Sequence, residues 1–251
     1  MEITELYYPE IEVRAGSYSF KEGIEIEVSS AKGSYCDWAK IRFTGPFREK
    51  IALPRRTTAS IALGYGGVLE PVFSGYVDKP AGSGTNADEL CLKDETLLLE
   101  DTVIHDTFLS TTPQELIAFL LAKAGITRMK LSPKSYPVRK TLPIRQQNAV
   151  QAIHTVNAAW GIKPHFFFSG GVFFWDETPE QKKIYTFQYG VNILALNRVN
   201  GLWELETVSV PFVKHSHKIN LIHPKVRGER EVQKVVFTTN DSGFIRTFLY
   251  F

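Results

Sequence analysis

Only two of the 251 residues are cysteine, Cys36 and Cys91, and neither has another thiol nearby in the chain. A disulfide framework and a cysteine-rich zinc site are thereby excluded, and reduced, buried thiols are expected. No apolar run reaches the roughly 18 residues that a membrane-spanning helix needs. Residues 1–9 alternate charged and apolar side chains instead of forming the apolar core of a signal peptide, so a soluble, cytosolically made chain is expected. Charge of one sign is lacking too: 29 basic residues against 27 acidic ones leave a formal net charge of +2. That is far from the basic excess that binding to a phosphate backbone leaves in a sequence, and no specific nucleic-acid partner is expected. There is no Gly-x-Ser-x-Gly nucleophile elbow.

What the chain does have is apolar and aromatic content, 43% and 12%, enough for real cores and little disorder. Residues 24–29 alternate apolar with polar, the period-2 pattern of a strand with one buried face. Similar signals recur at 39–43, 60–63 and 71–77, with Gly64, Gly66 and Gly67 at turn positions. Residues 81–86 read as a flexible loop, and a further strand follows at 87–92, ahead of Leu97, Leu98 and Leu99. The pattern then changes. Thr112, Pro113 and Glu115 predict a capped helix start, Leu116, Ile117, Leu120 and Leu121 its apolar stripe, and Gly125 its stop. Residues 127–143, with three prolines and five basic residues, read as a connecting arm, and a second helix is predicted over 147–160, stopped by Gly161.

Beyond it, residues 165–175 form an aromatic hairpin around Ser169, Gly170 and Gly171. Strands follow at 183–187, 193–199, 202–210, 218–221, 231–238 and 244–251, with Asn200-Gly201 and Asp241-Ser242-Gly243 as turns. A β-rich body that runs to an apolar last strand must pair, bury or share that strand, which favours an assembly subunit over a free-standing enzyme. The expected fold is α+β, mainly β, with two barrel-like antiparallel β domains separated by a small helical segment. The expected divisions are 1–105, 106–162 as helical connector, and 163–251. No residue-level repeat relates the halves.

In this order and spacing, the chain resembles the baseplate hub proteins of contractile phage tails and phage-tail-like particles, the late-control-protein family. The stretches that carry the likeness are residues 36–43 (CDWAKIRF), 73–78 (FSGYVD), 112–116 (TPQEL) with the helix ending at Ala124, Gly125 and Ile126, 189–193 (YGVNI), 207–211 (TVSVP), 226–229 (VRGE) and 243–247 (GFIRT). The resemblance implies a homotrimer whose two barrel domains per chain alternate in a pseudo-sixfold ring, matching a hexameric tail tube protein above and a trimeric spike protein below. Neighbouring baseplate proteins and a tape measure protein are further implied partners, and the implied place is the virion tail baseplate, assembled in the host cytoplasm. Because the sequence ends at the strand over 244–251, spike and any lytic activity are expected on other chains.

No catalytic, cofactor-binding or metal-ligating residue is assigned, and an enzyme is not expected. His215 and His217, as an H-x-H on a strand, would share one face with zinc in reach, and His223 lies near, but a fourth ligand is missing. Surface or interface histidines are the expectation. Asp176 and Glu177 are adjacent on the chain, so they point apart and cannot act as a glycosidase pair; a solvated turn is expected. Phe166, Phe167, Phe168, Phe173, Phe174 and Trp175 suggest core and subunit contact, with a sugar-stacking platform as the alternative. Gly64-Tyr65-Gly66-Gly67 lacks the Lys-Ser/Thr of a phosphate loop and reads as a hairpin turn. Arg55 and Arg56, with Arg48 and Lys50, form a basic patch, read as a solvated loop or as contact with an acidic neighbour or with DNA. Two further functions stand as alternatives: a tail-associated cell-wall hydrolase and a carbohydrate-binding β module.

Overall fold

The computed structural model describes residues 8–44, 51, 53–79, 89–163, 165–239 and 244–251. Arg48 and Lys50, the loop at 81–86, the start of the strand at 87–92, the turn at 241–243 and the outset of residues 1–9 lie outside them. In chain order the elements are β1 (Pro9–Ala15), β2 (Tyr18–Phe20), β3 (Ile24–Ala31), β4 (Trp38–Phe43), β5 (Thr58–Tyr65), β6 (Val68–Lys79) and β7 (Glu89–Lys93). Then come α1 (Thr96–Glu100), β8 (Val103–Thr111), α2 (Pro113–Lys123), β9 (Met129–Leu131), β10 (Arg139–Asn148), α3 (Ala149–Ala159), β11 (Phe166–Ser169) and β12 (Val172–Trp175). The chain finishes with β13 (Tyr185–Gln188), β14 (Ala195–Val199), β15 (Leu202–Val208), β16 (Lys218–His223), β17 (Val226–Glu231), β18 (Lys234–Thr239) and β19 (Ile245–Tyr250).

The protein is mainly β, and it divides into two compact units. Unit 1 comprises residues 1–94 and 179–251, and unit 2 is the intervening stretch 95–178. The division corrects the one expected from sequence, in which boundaries fell near 105 and 162. The first and last thirds of the chain are not separate domains: β3 pairs with β18, Val28 opposite Phe237 and Ser29 opposite Val236, so both belong to one eleven-stranded sheet. The sheet order is β14-β15-β19-β18-β3-β4-β7-β6-β5-β1-β2. Among the described residues no pairing joins β2 to β14, and the sheet is open.

Alternation explains the core of unit 1. Ile26 and Val28 on β3, Ala39 and Ile41 on β4, and Leu90 and Leu92 on β7 turn one face inward. Leu205, Val235, Phe237, Ile245 and Leu249 join the same cluster from the other end of the chain. The apolar last strand is an interior strand: β19 lies between β15 and β18, so its backbone groups are shared within the chain. The smaller sheet β13-β16-β17 completes the unit. Cys36 and Cys91 are half-exposed where buried thiols were expected, and neither forms a disulfide among the described residues.

Unit 2 assembles three helices, a ribbon and a hairpin around its own core. At the start of α2, the Thr112 side chain accepts from the Glu115 backbone N–H, while the Glu115 carboxylate accepts from the Thr112 N–H at 2.8 Å. Donation to it by the Thr112 N–H, and then by the Thr112 hydroxyl, holds the Glu115 carboxyl below its usual range. Asn148 and Gln151 repeat the arrangement at α3, a signal the sequence reading passed over. Leu97, Leu98 and Leu99 lie in the short α1.

The supposed arm at 127–143 holds β9 and most of β10, which pairs antiparallel with β8. Pro143 sits within β10 opposite Thr107; β10 has a single neighbour, and an edge strand tolerates a residue without an N–H. The hairpin β11–β12 turns on Gly170 and Gly171, both at positive φ, where residues with a Cβ are strained. β9 adds to it in parallel, and the hairpin thus belongs with the helices in unit 2, not with the last strands.

Candidate functional site

His215 and His217 lie in a turn, not on a strand, while His223 is the last residue of β16. His215 and His217 precede β16, and Ser216 between them has φ +66°, which breaks the alternation that would have set both rings on one face. Where surface or interface histidines were expected, His215, His217 and His223 are all buried within the chain. Nδ1 of His217 accepts from the Lys214 backbone N–H at 3.3 Å, and Nδ1 of His223 accepts from the Lys225 N–H at 3.1 Å. The His223 ring meets Tyr189 edge-on at 4.9 Å. Burial, then the Lys214 charge, lowers the pKa of His217. No cluster of three or more His, Cys, Asp and Glu able to hold a metal occurs among the described residues. These rings brace a turn.

Asp176 closes the aromatic hairpin. Its N–H donates to the His165 carbonyl at 2.9 Å, and its carboxylate accepts from Lys134 Nζ at 2.5 Å and Ser132 Oγ at 3.3 Å. The bond to Asp176 raises the Lys134 pKa. The aromatic side chains are buried on both hairpin faces. Phe168, Phe173 and Trp175 enter the core of unit 2, while Phe167 and Phe174 are buried and stack at 5.4 Å; only Phe166 is half-exposed. Trp175 is 0% exposed, and its Nε1–H donates to Asn157 Oδ1 at 2.8 Å. Only the partly open Phe166 ring is left there for a sugar to stack on.

The Gly64–Gly67 stretch turns β5 into β6, with Gly66 and Gly67 at positive φ. The Gly67 N–H is taken by Glu10 Oε1 at 2.8 Å, so an intramolecular carboxylate stands where a phosphate loop would offer its amide. Tyr65 O–H donates to the Ser209 carbonyl at 2.7 Å, tying this turn to the C-terminal third. Arg55 pairs with Asp78 at 3.5 Å, and the Arg56 N–H donates to the Val77 carbonyl.

What the arrangement offers is sheet ends. β2 and β14 close the long sheet on opposite sides, and among the described residues each has a single neighbouring strand, leaving one side of its backbone donors and acceptors without a strand partner. They differ in kind. β2 is three residues long, with Tyr18 and Phe20 packed on the core, whereas β14 carries exposed Asn197 and Arg198, the latter 4.9 Å over the Trp203 ring. Tyr189, Val191 and Leu194, just ahead of β14, are exposed, and the Tyr189 N–H donates to the carbonyl of exposed Ile222. Sequence reasoning placed the open edge at the last strand. The signal it lacked was the partner of that strand, far away in the chain.

No protein-family model and no curated protein matches the sequence. Solved structures do. The chain is similar to the 43 kDa tail protein of prophage MuSo2 from Shewanella oneidensis, with a TM-score of 0.74 at 12% identity over 97% of this chain and 98% of that one. It is similar to a tail protein from Neisseria meningitidis MC58, with a TM-score of 0.70 at 12% identity, covering 97% and 96%. It is also similar to the c3393 protein of E. coli, a component of the type VI secretion system that exhibits structural similarity to the T4 bacteriophage tail proteins gp27 and gp5. There the TM-score is 0.68 at 12% identity, covering 95% of this chain and 75% of that one. From end to end, this chain has the fold of these tail and secretion-system proteins.

Proposed function

We propose that the chain is a structural subunit of a phage tail or tail-like particle, and within it the baseplate hub. Three copies form a ring, built on the open sheet of unit 1, that joins a hexameric tail tube protein to a trimeric spike protein. Neighbouring baseplate proteins and the tape measure protein are its other contacts, and its place is the tail baseplate, assembled in the host cytoplasm. The observation that carries the reading is the likeness over nearly the whole of both chains to the prophage tail protein from Shewanella oneidensis.

A physical argument supports the same reading. A sheet that ends on two unlike strands can join copies head to tail, one end against the other, and head-to-tail contacts close into rings or run on as fibres. Closure removes both edges at once. The role of this ring is symmetry matching and requires no catalytic residue.

Electron microscopy of the assembled particle, with this chain carrying a visible tag, tests the reading. Three tags clustered where tube meets spike are expected. Tags distributed along the tube, or a single tag per particle, overturn it.

A further inference from the structure

The six histidines divide evenly between the two units. His105, His154 and His165 of unit 2 are exposed, whereas His215, His217 and His223 of unit 1 are buried and all fall within residues 215–223. Two of the buried rings act alike at opposite ends of one strand. Ahead of β16, Nδ1 of His217 accepts from the Lys214 N–H, and at its last residue Nδ1 of His223 accepts from the Lys225 N–H. β16 is the middle strand of the sheet β13-β16-β17, so the two rings pin both ends of the strand that holds this sheet together.

A ring whose Nδ1 accepts is neutral and carries its one proton on Nε2. Proton uptake then occurs at Nδ1 itself. The imidazolium has two donors and no acceptor, and the backbone N–H that it held is left without a partner inside the fold. No neighbour favours the charged form. Around His217 stand Lys214 on its own turn, Lys218 on β16, and Lys182 and Lys183 next to Gln181, whose side chain binds the Lys218 backbone. Glu231 adjoins Val232, which pairs with the turn, but its carboxylate is held by Lys32 at 2.7 Å. Around His223 stand Tyr189, Lys225 and, on β17, Arg227. Neither ring forms an ion pair or a hydrogen bond with a carboxylate among the described residues. His215 differs: its Nδ1 meets Ser216 Oγ at 3.1 Å, a hydroxyl that donates or accepts, so this ring keeps its contact in either state.

We propose that β16 is held by an acid-released latch: protonation of His217 and His223 frees the turns at 214–217 and 223–225, and with them the loop at 189–194, while the long sheet stays paired. The loop follows because Tyr189 lies edge-on against the His223 ring and its N–H donates to the Ile222 carbonyl at 2.9 Å. That loop leads into β14, so acid loosens the approach to one open end of the long sheet. The eleven strands of the long sheet contain no histidine and give a proton nothing to act on between pH 5 and 8. The inference goes beyond the tail role and needs no partner or copy number. It is read in the isolated chain, so its failure leaves that role untouched.

Hydrogen exchange of the full chain, read by mass spectrometry at about pH 7.5 and about pH 5.5 and corrected for the intrinsic effect of pH, tests it. One unit below the unfolded histidine value of about 6.5, opening that releases such a ring is favoured about tenfold. Protection over 214–217 and 223–225 is therefore expected to fall about tenfold, that over 189–194 to fall with it, and that of β3 and β18 to hold. His217→Asn with His223→Asn places a side-chain oxygen near each Nδ1 position, an acceptor that does not titrate. This pair is expected to keep the protection seen at neutral pH and to lose the acid response. His217→Leu with His223→Leu, which fills space but accepts no bond, is expected to lose protection at both pH values. Should the Asn pair fail to fold, the two single Asn variants replace it, each expected to lose the response at its own turn. Protection unchanged between the two pH values, acid loss spread evenly over both units, an acid response that survives in the Asn variants, or full protection in the Leu pair overturns the proposal.

Discussion

Units 1 and 2 are built from the same chain by opposite means. In unit 1 the pairing that matters most joins residues at the two ends of the sequence: the Ile26 N–H donates to Thr239 Oγ1 across a separation of 213 positions, and β3 lies against β18. In unit 2 every element lies within residues 95–178, and its two longer helices, α2 and α3, carry local capping boxes. A sheet sewn from distant pieces gains its stability only after long loops have closed, whereas capped helices gain it early and locally. The lesson concerns what the fold is for. Unit 1 supplies the open-ended sheet suited to joining copies, and unit 2 is a nearly self-sufficient insert between two of its strands.

The sharpest way to break this comparison is to remove one large buried side chain from each unit. Trp175→Ala in unit 2 and Phe237→Ala in unit 1 are each expected to cost about 3–5 kcal/mol, the first also stripping Asn157 of its indole donor. Hydrogen exchange read by mass spectrometry should show faster exchange confined to the altered unit; equal loss of protection in both would mean that they unfold as one. A smaller effect is expected at the helix starts. Thr112→Ala and Asn148→Ala should each lower stability by about 1 kcal/mol, seen as lower urea midpoints for exchange in unit 2 alone.

The smallest effect expected is the pH response of His217. Its folded pKa lies below the unfolded value, so protonation is harder in the folded state than in the unfolded one. The contribution is fully present above the unfolded value of about 6.5 and is lost as pH falls towards the folded value. Melting temperature should therefore fall between about pH 7 and pH 5, and His217→Gln, which has no ionisable ring, should flatten part of that fall. An unaltered slope in the variant would show that the turn before β16 does not sense protons.

The contrast between the units also explains what could be read in advance. The Thr112–Glu115 cap, the Gly125 stop and the Ser169–Gly171 turn were legible because each is a local pattern in which one or two side chains dictate the backbone. The joining of β3 to β18 was not, since nothing in the alternation of residues 24–31 names the strand that will lie beside it. β10 was missed because Pro143 argues against a strand unless the strand is known to be an edge. β17 was missed because Arg227, Gly228, Glu229, Arg230 and Glu231 are all exposed and offer no period-2 signal. At the candidate sites, H-x-H suggested a shared face that the positive φ of Ser216 removes. The six hairpin aromatics pointed correctly to core, but alternation could not foretell that both faces would be covered.

The central claim is that the unlike sheet ends β2 and β14 serve to join copies of this chain. Native mass spectrometry of the purified protein, alone and mixed with the spike of the same particle, tests it most directly. Three copies of this chain, alone or on adding the spike, is the predicted result. A mass of one copy under both conditions would contradict the account.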